Sequence, residues 1–238
     1  MSISQSSRYR AATALLALVV LGATSVLARA SQTPSPPPEP PSSRVMVTAN
    51  PPSAPAVLDT AVLAGGCFWG MELVFEHVKG VVSVVSGFAG GPGESPGYAK
   101  VSGGRTGYAE SVRIIYDPSR LSYPDILRIF FSAAHDPTQK DRQGPDVGPQ
   151  YRSAIFYSRP SQAADAREYI RQLGASKYFA RPIVTEVAPL LGFHEAEAYH
   201  QDYALHNPDQ PYIIINDLPR LEQLKNRLPQ FYTADRAP

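Results

Sequence analysis

The chain has 238 residues, with 22 Lys and Arg against 21 Asp and Glu, a formal net charge of +1, and a single Cys. Near-neutral charge without a basic run argues against nucleic acid as a partner. One cysteine excludes an internal disulfide, so no covalent staple helps to hold the fold.

Residues 1–30 read as a secretory signal. Arg8 and Arg10 supply a charged start, Ala11 to Leu27 is largely apolar, and Ala28-Arg29-Ala30 has the Ala-x-Ala form of a cleavage site. The apolar run is slightly short of the roughly 20 residues that span a bilayer. An exported, periplasmic or extracytoplasmic protein is therefore expected, membrane-anchored if the signal stays uncleaved. Residues 31–58 are rich in Pro and Ser, including Pro37-Pro38-Glu39-Pro40-Pro41, and read as an extended, solvated linker. Residues 59–232 form one domain with its own core, and 233–238 a short tail.

Thr60 to Ala64 is a short apolar strand. It leads into Gly65-Gly66-Cys67-Phe68-Trp69-Gly70, which holds the only Cys and the only Trp. Met71, Val74, Phe75 and Val78 then repeat at helical spacing. Cys67 thus lies at a strand-to-helix turn, where unpaired N–H groups and the helix dipole favour a thiolate. A free thiol titrates at about 8.5, and such positions lower it to roughly 3.5–7.5. The expected result is a reactive thiol walled by two aromatic rings. The alternative is a buried structural cysteine, a common fate for a free thiol.

Val81 to Phe88 is rich in β-formers, and Ala89 to Tyr108 is a long glycine-rich loop of the kind that serves a site. Ser111 to Asp117 alternates as a strand closed by Pro118, and Ser122 to Asp125 has the form of a capping box for a helix through Ala133. His135 to Gln150 is a second structure-poor loop, followed by a strand from Tyr151 to Tyr157. Strand, helix, strand, strand, helix, strand is the ferredoxin-like βαββαβ order. The fold class is α+β, a two-layer α/β sandwich with a C-terminal helical extension. In that extension Gln162 to Leu173, His194 to His206 and Pro219 to Leu228 read as helical, with a strand at Ile183 to Val187.

Chemistry must come from the two loops and the Cys67 turn. Glu110 enters an apolar strand, where desolvation would keep it protonated, a proton donor rather than a base; a strand-edge surface position is the alternative. Tyr98 and Tyr151 can donate phenolic hydrogen bonds, and Asp146 on its own reads as a turn residue. His135 reads as a C-terminal helix cap. His194, His200 and His206 do not share a helix face and no Cys accompanies them, so no metal site is expected. A cysteine hydrolase or transferase, and a non-enzymatic binding module, stay open at this point.

Several motifs together resemble one family, methionine sulfoxide reductase A. They are Gly66 to Gly70 (Gly-Cys-Phe-Trp-Gly), Gly103 to Glu110, Tyr116-Asp117-Pro118, His135-Asp136-Pro137, the run from Arg142 to Ser153, and Ala196 to Gln201. The tail, with Pro211-Tyr212-Ile213 and Ile215-Asn216-Asp217, is similar to a common variant of that family. The resemblance implies a reductase for the S epimer of methionine sulfoxide, free or in proteins, working in repair after oxidative stress. It implies Cys67 as nucleophile, Glu110 as the acid that protonates the sulfoxide oxygen, and Phe68 and Trp69 as the wall for the substrate methyl group. Tyr98 and Tyr151 would hold the oxygen, and Asp146 would orient the site. Attack leaves Cys67 as a sulfenic acid.

Many members carry further cysteines that trap this intermediate. Here Ser102 stands where a resolving cysteine often follows, and the C-terminal segment has none. Regeneration must be intermolecular, by a thioredoxin- or glutaredoxin-like protein or a small thiol, with no bound cofactor. A monomer is expected.

Overall fold

The computed structural model describes residues 37–40, 57–93 and 97–237. The signal expected over residues 1–30, and most of the linker expected over residues 31–58, lie outside these residues. Among the described residues no helix is long and apolar enough to cross a membrane.

The framework is a six-stranded sheet in the order β7-β6-β1-β3-β2-β8. Its strands are β1 (Asp59–Gly65), β2 (Val81–Ala89), β3 (Ala109–Tyr116), β6 (Ser153–Tyr157), β7 (Glu186–Pro189) and β8 (Phe193–Glu195). The inner strands β6, β1, β3 and β2 are mutually antiparallel neighbours, β8 adds antiparallel to β2, and β7 adds parallel to β6. Strands β4 (Arg142–Gln143) and β5 (Asp146–Val147) form a separate small hairpin within the second loop.

The principal helices are α1 (Phe68–Glu76), α3 (Tyr123–Ile129), α4 (Pro160–Ala175) and α6 (Leu218–Arg227); α2 (Tyr98–Val101) and α5 (Tyr203–His206) are single turns. Leu63, Ile114 and Ile155 on one face of the sheet share a core with Met71, Val74 and Phe75 of α1, Ile126 and Leu127 of α3, Tyr169 of α4 and Leu224 of α6. Each fully buried side chain of this size contributes about 1.5–3 kcal/mol. The opposite face carries Val62, Ala64, Ala154 and Phe156, covered by Ala188, Leu190 and Phe193. Strand β1 is buried on both faces, which is why it reads as a continuous apolar run rather than an alternating one.

The capping box is present. Ser122 accepts from the Asp125 N–H, and the Asp125 carboxylate accepts from the Ser122 N–H. Helix α3 continues through a wider turn over Phe130–Ala134, and His135 closes it, with Nδ1 3.0 Å from the Phe130 carbonyl.

Two expectations need correction. His194 to His206 is not one helix: it comprises β8, a single 3₁₀ turn at Ala198–His200 and α5. Sheet pairing wins locally, since Phe193 and His194 pair with Ala89 and Phe88 at an edge of β2 that would otherwise be bare. The linker is also not wholly solvated. Pro37 and Pro40 are buried, the Tyr169 hydroxyl donates to the Pro38 carbonyl at 3.0 Å, and Arg128 meets Glu39 at 3.2 Å.

Candidate active site

Strand β1 ends at Gly65, and Cys67 is the N-cap of α1, with φ −54° and ψ 127°. The chain turns between them at Gly66, whose φ is +95°. A Cβ there would lie 2.5 Å from Cβ and Cγ of Gln143, so backbone conformation and space both demand glycine. Gly66→Ala should destabilise the fold by about 2–4 kcal/mol. In thermal unfolding followed by circular dichroism that corresponds to a drop of about 5–10 °C; an unchanged midpoint would show that the turn relaxes freely.

Cys67 is 7 % exposed. Burial first, then the Glu110 and Asp217 carboxyls, push its thiol well above the ordinary value. The Trp69 N–H, which faces Sγ without closing a cap hydrogen bond, and the Arg220 cation pull the other way and lose. This reverses the expected lowering. A helix terminus offers a charge about 0.3–1 kcal/mol, whereas full burial alone can move a titrating group by several pKa units. The resting site therefore holds a neutral thiol.

Glu110 lies on β3 opposite Phe88 of β2 and is 2 % exposed. Its Oε2 accepts from the Phe68 N–H at 3.1 Å. Burial, with smaller contributions from Asp146 and Asp217, raises its pKa to about 8 against the opposing effect of that N–H. At neutral pH it is a carboxylic acid with one oxygen engaged, and it is not the surface residue that its position also allowed.

The remaining candidates lie around the same two groups. Phe68 is buried against Phe88, Tyr98 and His200, with ring centroids 5.8, 6.5 and 5.1 Å away. Trp69 stacks on Tyr203 at 3.8 Å, meets Tyr212 edge-on at 6.1 Å, and donates from Nε1 to Nδ1 of His200 at 3.3 Å. Tyr98 heads α2; its N–H donates to Glu197 at 3.1 Å, while Gln150 anchors the Ser102 carbonyl at 3.0 Å. Burial raises the Tyr98 phenol to about 12, with Glu110 and Cys67 adding to the effect. Tyr151 is raised by burial and feels the same two groups as well as Asp146. Both phenols are thus protonated donors close to the thiol and the acid. Asp146, raised by burial, accepts from the Tyr212 hydroxyl.

Sequence reading did not single out Tyr212, His200, Asp217 or Arg220 for the site. Tyr212 and Asp217 lie in the family-like tail and His200 in the Ala196 to Gln201 motif, but none of these carries its contacts in the sequence. Asp217 and Arg220 at i, i+3 look like an ordinary helix-surface pair; both are buried. No histidine pairs with Cys67 among the described contacts: His135 is bonded to Phe130 and Ser153, and His200 to Trp69. Among the described residues no group of His, Cys, Asp and Glu could hold a metal ion.

An acid that is neutral at pH 7, two phenols and a sulfur nucleophile around an aromatic wall suit one task. They can protonate the oxygen of a small polarised acceptor while sulfur attacks the atom that bears it. The site suits an oxidoreductase built on an α+β scaffold. Residues 59–231 match the family model described as peptide methionine sulfoxide reductase. The chain is 50 % identical over 175 residues to peptide methionine sulfoxide reductase MsrA 2 of Mesorhizobium japonicum, covering 74 % of this chain and 90 % of that one. It is 48 % identical over 170 residues to MsrA of Deinococcus radiodurans, covering 71 % and 82 %. Among solved structures it is similar to methionine sulfoxide reductase A of Corynebacterium diphtheriae, with a TM-score of 0.57 and 36 % identity over 74 % of this chain and 83 % of that one. It is similar also to reduced Mxr1 of Saccharomyces cerevisiae, with a TM-score of 0.60 and 31 % identity over 66 % and 90 %. The chain belongs to the peptide methionine sulfoxide reductase family and is an oxidoreductase.

Proposed function

We propose that this enzyme reduces the S epimer of methionine sulfoxide, in proteins or free, through a sulfenic acid on Cys67. The observation that carries this reading is the pairing of a buried, protonated Glu110 with a solitary Cys67 at the head of α1. A sulfoxide sulfur is a poor electrophile until its oxygen takes up a proton. Glu110 gives that proton, with Tyr98 and Tyr151 donating hydrogen bonds to the same oxygen. Sγ then attacks the sulfoxide sulfur, and the oxygen passes to Sγ as the sulfoxide S–O bond breaks, while the thiol proton replaces the one lost by Glu110. Thiol and sulfoxide become sulfenic acid and thioether, with atoms and charge balanced. The substrate methyl group rests against Phe68 and Trp69, and Asp146 with Tyr212 orients the polar side.

Regeneration uses two external thiol equivalents. The first displaces water from the sulfenic acid to give a mixed disulfide, and the second releases Cys67. A thioredoxin- or glutaredoxin-like protein or a small thiol fits this need, because the chain has no second cysteine. The signal-like residues 1–30 support a role in repairing exported proteins, with the enzyme acting as a monomer.

The test is a single turnover without added thiol, using a peptide that carries the S sulfoxide and mass spectrometry of both partners. Up to one equivalent of peptide should lose its oxygen while Cys67 becomes trappable as sulfenic acid. Unchanged peptide beside an accessible, reduced Cys67 would remove the reductase reading.

A further inference from the structure

Asp217 and Arg220 have no part in the chemistry above, yet they sit against the turn that carries Cys67. Asp217 ends the wide turn Ile213–Asp217 and is the N-cap residue of α6. It is fully buried, and neither carboxyl oxygen has a hydrogen-bond partner among the described residues. Arg220, one turn along α6, is 8 % exposed; its Nη1 is likewise unpartnered, and its Nε lies 4.0 Å from Asp217 Oδ1.

Two glycines bring this pair close to the sulfur. A Cβ at Gly66 would lie 3.6 Å from Arg220 Nη2. One at Gly70 would lie 2.2 Å from Asp217 Oδ1 and 2.9 Å from Arg220 Nη1. The residue before Cys67 and the third residue of α1 thus both lack a side chain where the pair packs. A buried ion pair with unsatisfied atoms is a poor source of stability, since desolvation consumes its Coulomb gain. Hydrophobic residues would fill the same space at lower cost, so a functional account is required.

We propose that Asp217 and Arg220 are positioning residues forming a buried charge couple that sets how readily Cys67 becomes a thiolate. Arg220 favours the anion on sulfur, and Asp217 counters Arg220 to the extent that it is ionised. Burial raises the Asp217 carboxyl to about 7 against the pull of Arg220, so it is part protonated at neutral pH. When Asp217 is neutral, the field of Arg220 reaches Cys67 unopposed. The other groups facing the sulfur are Glu110 from β3, Tyr98 from α2, Tyr151, Tyr212 and the Trp69 N–H. Asp217 itself faces Arg220 and Asp146. None of the other groups facing the sulfur carries a permanent positive charge, which leaves Arg220 as the counter-ion of the couple.

The test rests on Cys67 as nucleophile but not on the identity of the substrate, because the readout is alkylation. Since the chain has one cysteine, the pH dependence of iodoacetamide incorporation into the full chain reports Cys67 alone. Asp217→Asn should move the profile to lower pH by about one unit, giving about tenfold faster alkylation on the acid side. Arg220→Gln should move it about as far to higher pH, and Arg220→Lys should restore much of the loss. The double variant should return toward the wild-type profile. Profiles that coincide with wild type, or shift in the same direction for Asp217→Asn and Arg220→Gln, overturn the proposal. If Asp217→Asn does not fold, the comparison of Arg220→Gln with Arg220→Lys decides: equal profiles for these two, with circular dichroism unchanged, overturn it.

Discussion

Replacing Cys67 by serine should lower single-turnover sulfoxide reduction by at least about four orders of magnitude, within the range seen when a nucleophile is deleted. In the proposed reaction the sulfur gives up its proton, attacks a positively polarised sulfur centre and then carries oxygen as a sulfenic acid. A serine hydroxyl is a harder and far weaker acid, and accepting oxygen would require an O–O bond. No other cysteine can take over, because the chain has none. The fold should survive. Ser is a preferred N-cap residue, and it would replace a side chain that makes no cap hydrogen bond. The measurement is peptide mass after one turnover, beside the thermal midpoint. Residual reduction within tenfold of wild type would place the nucleophile elsewhere and dismantle the site described above.

Glu110→Gln should slow the same step by about 10²–10⁴, the usual scale of a positioned general acid. It should also raise stability, and the sign follows from linkage. An unfolded Glu titrates near 4.3, while burial raises folded Glu110 to about 8. Below the lower value both states are protonated and stability is fully present. As pH rises through the interval the unfolded chain releases its proton while the folded one keeps it, so stability is lost until about pH 8 and then levels. Glutamine still accepts from the Phe68 N–H and has no proton to lose. The variant's thermal midpoint should therefore match wild type near pH 4.5 and exceed it at pH 8 by about 5–10 °C, or about 2–4 kcal/mol. A gap that does not widen with pH would mean that Glu110 is ionised in the resting site. Slower catalysis joined to higher stability is what a carboxyl buried for its acidity should show.

Much of the architecture was legible because local signals and burial agree. Strand β1 and helix α1 announce themselves through an apolar run followed by helical spacing, and the Ser122 to Asp125 capping box marks the start of α3. The C-terminal third was less legible. Its strands β7 and β8 are short edge strands held by neighbours distant in sequence, so their own residues carry little periodic signal. The helical reading of His194 to His206 failed for that reason.

The site divides along the same line. The sequence by itself determined its chemical types: one thiol, two aromatic neighbours after it, a carboxyl entering an apolar strand, and no second cysteine for internal resolution. It could not determine their protonation, because that depends on water excluded by elements remote in the chain. Helix-start logic predicted an acidic Cys67, and only the burial of the sulfur, with the Glu110 and Asp217 carboxyls beside it, reversed the sign. Likewise Tyr212 becomes the partner of Asp146, and Asp217 with Arg220 the charges beside Cys67, only once α6 and the turn before it fold back onto α1. Residue identity supplies the reactive groups, whereas desolvation and distance, properties of the tertiary structure, decide which of them carry a proton.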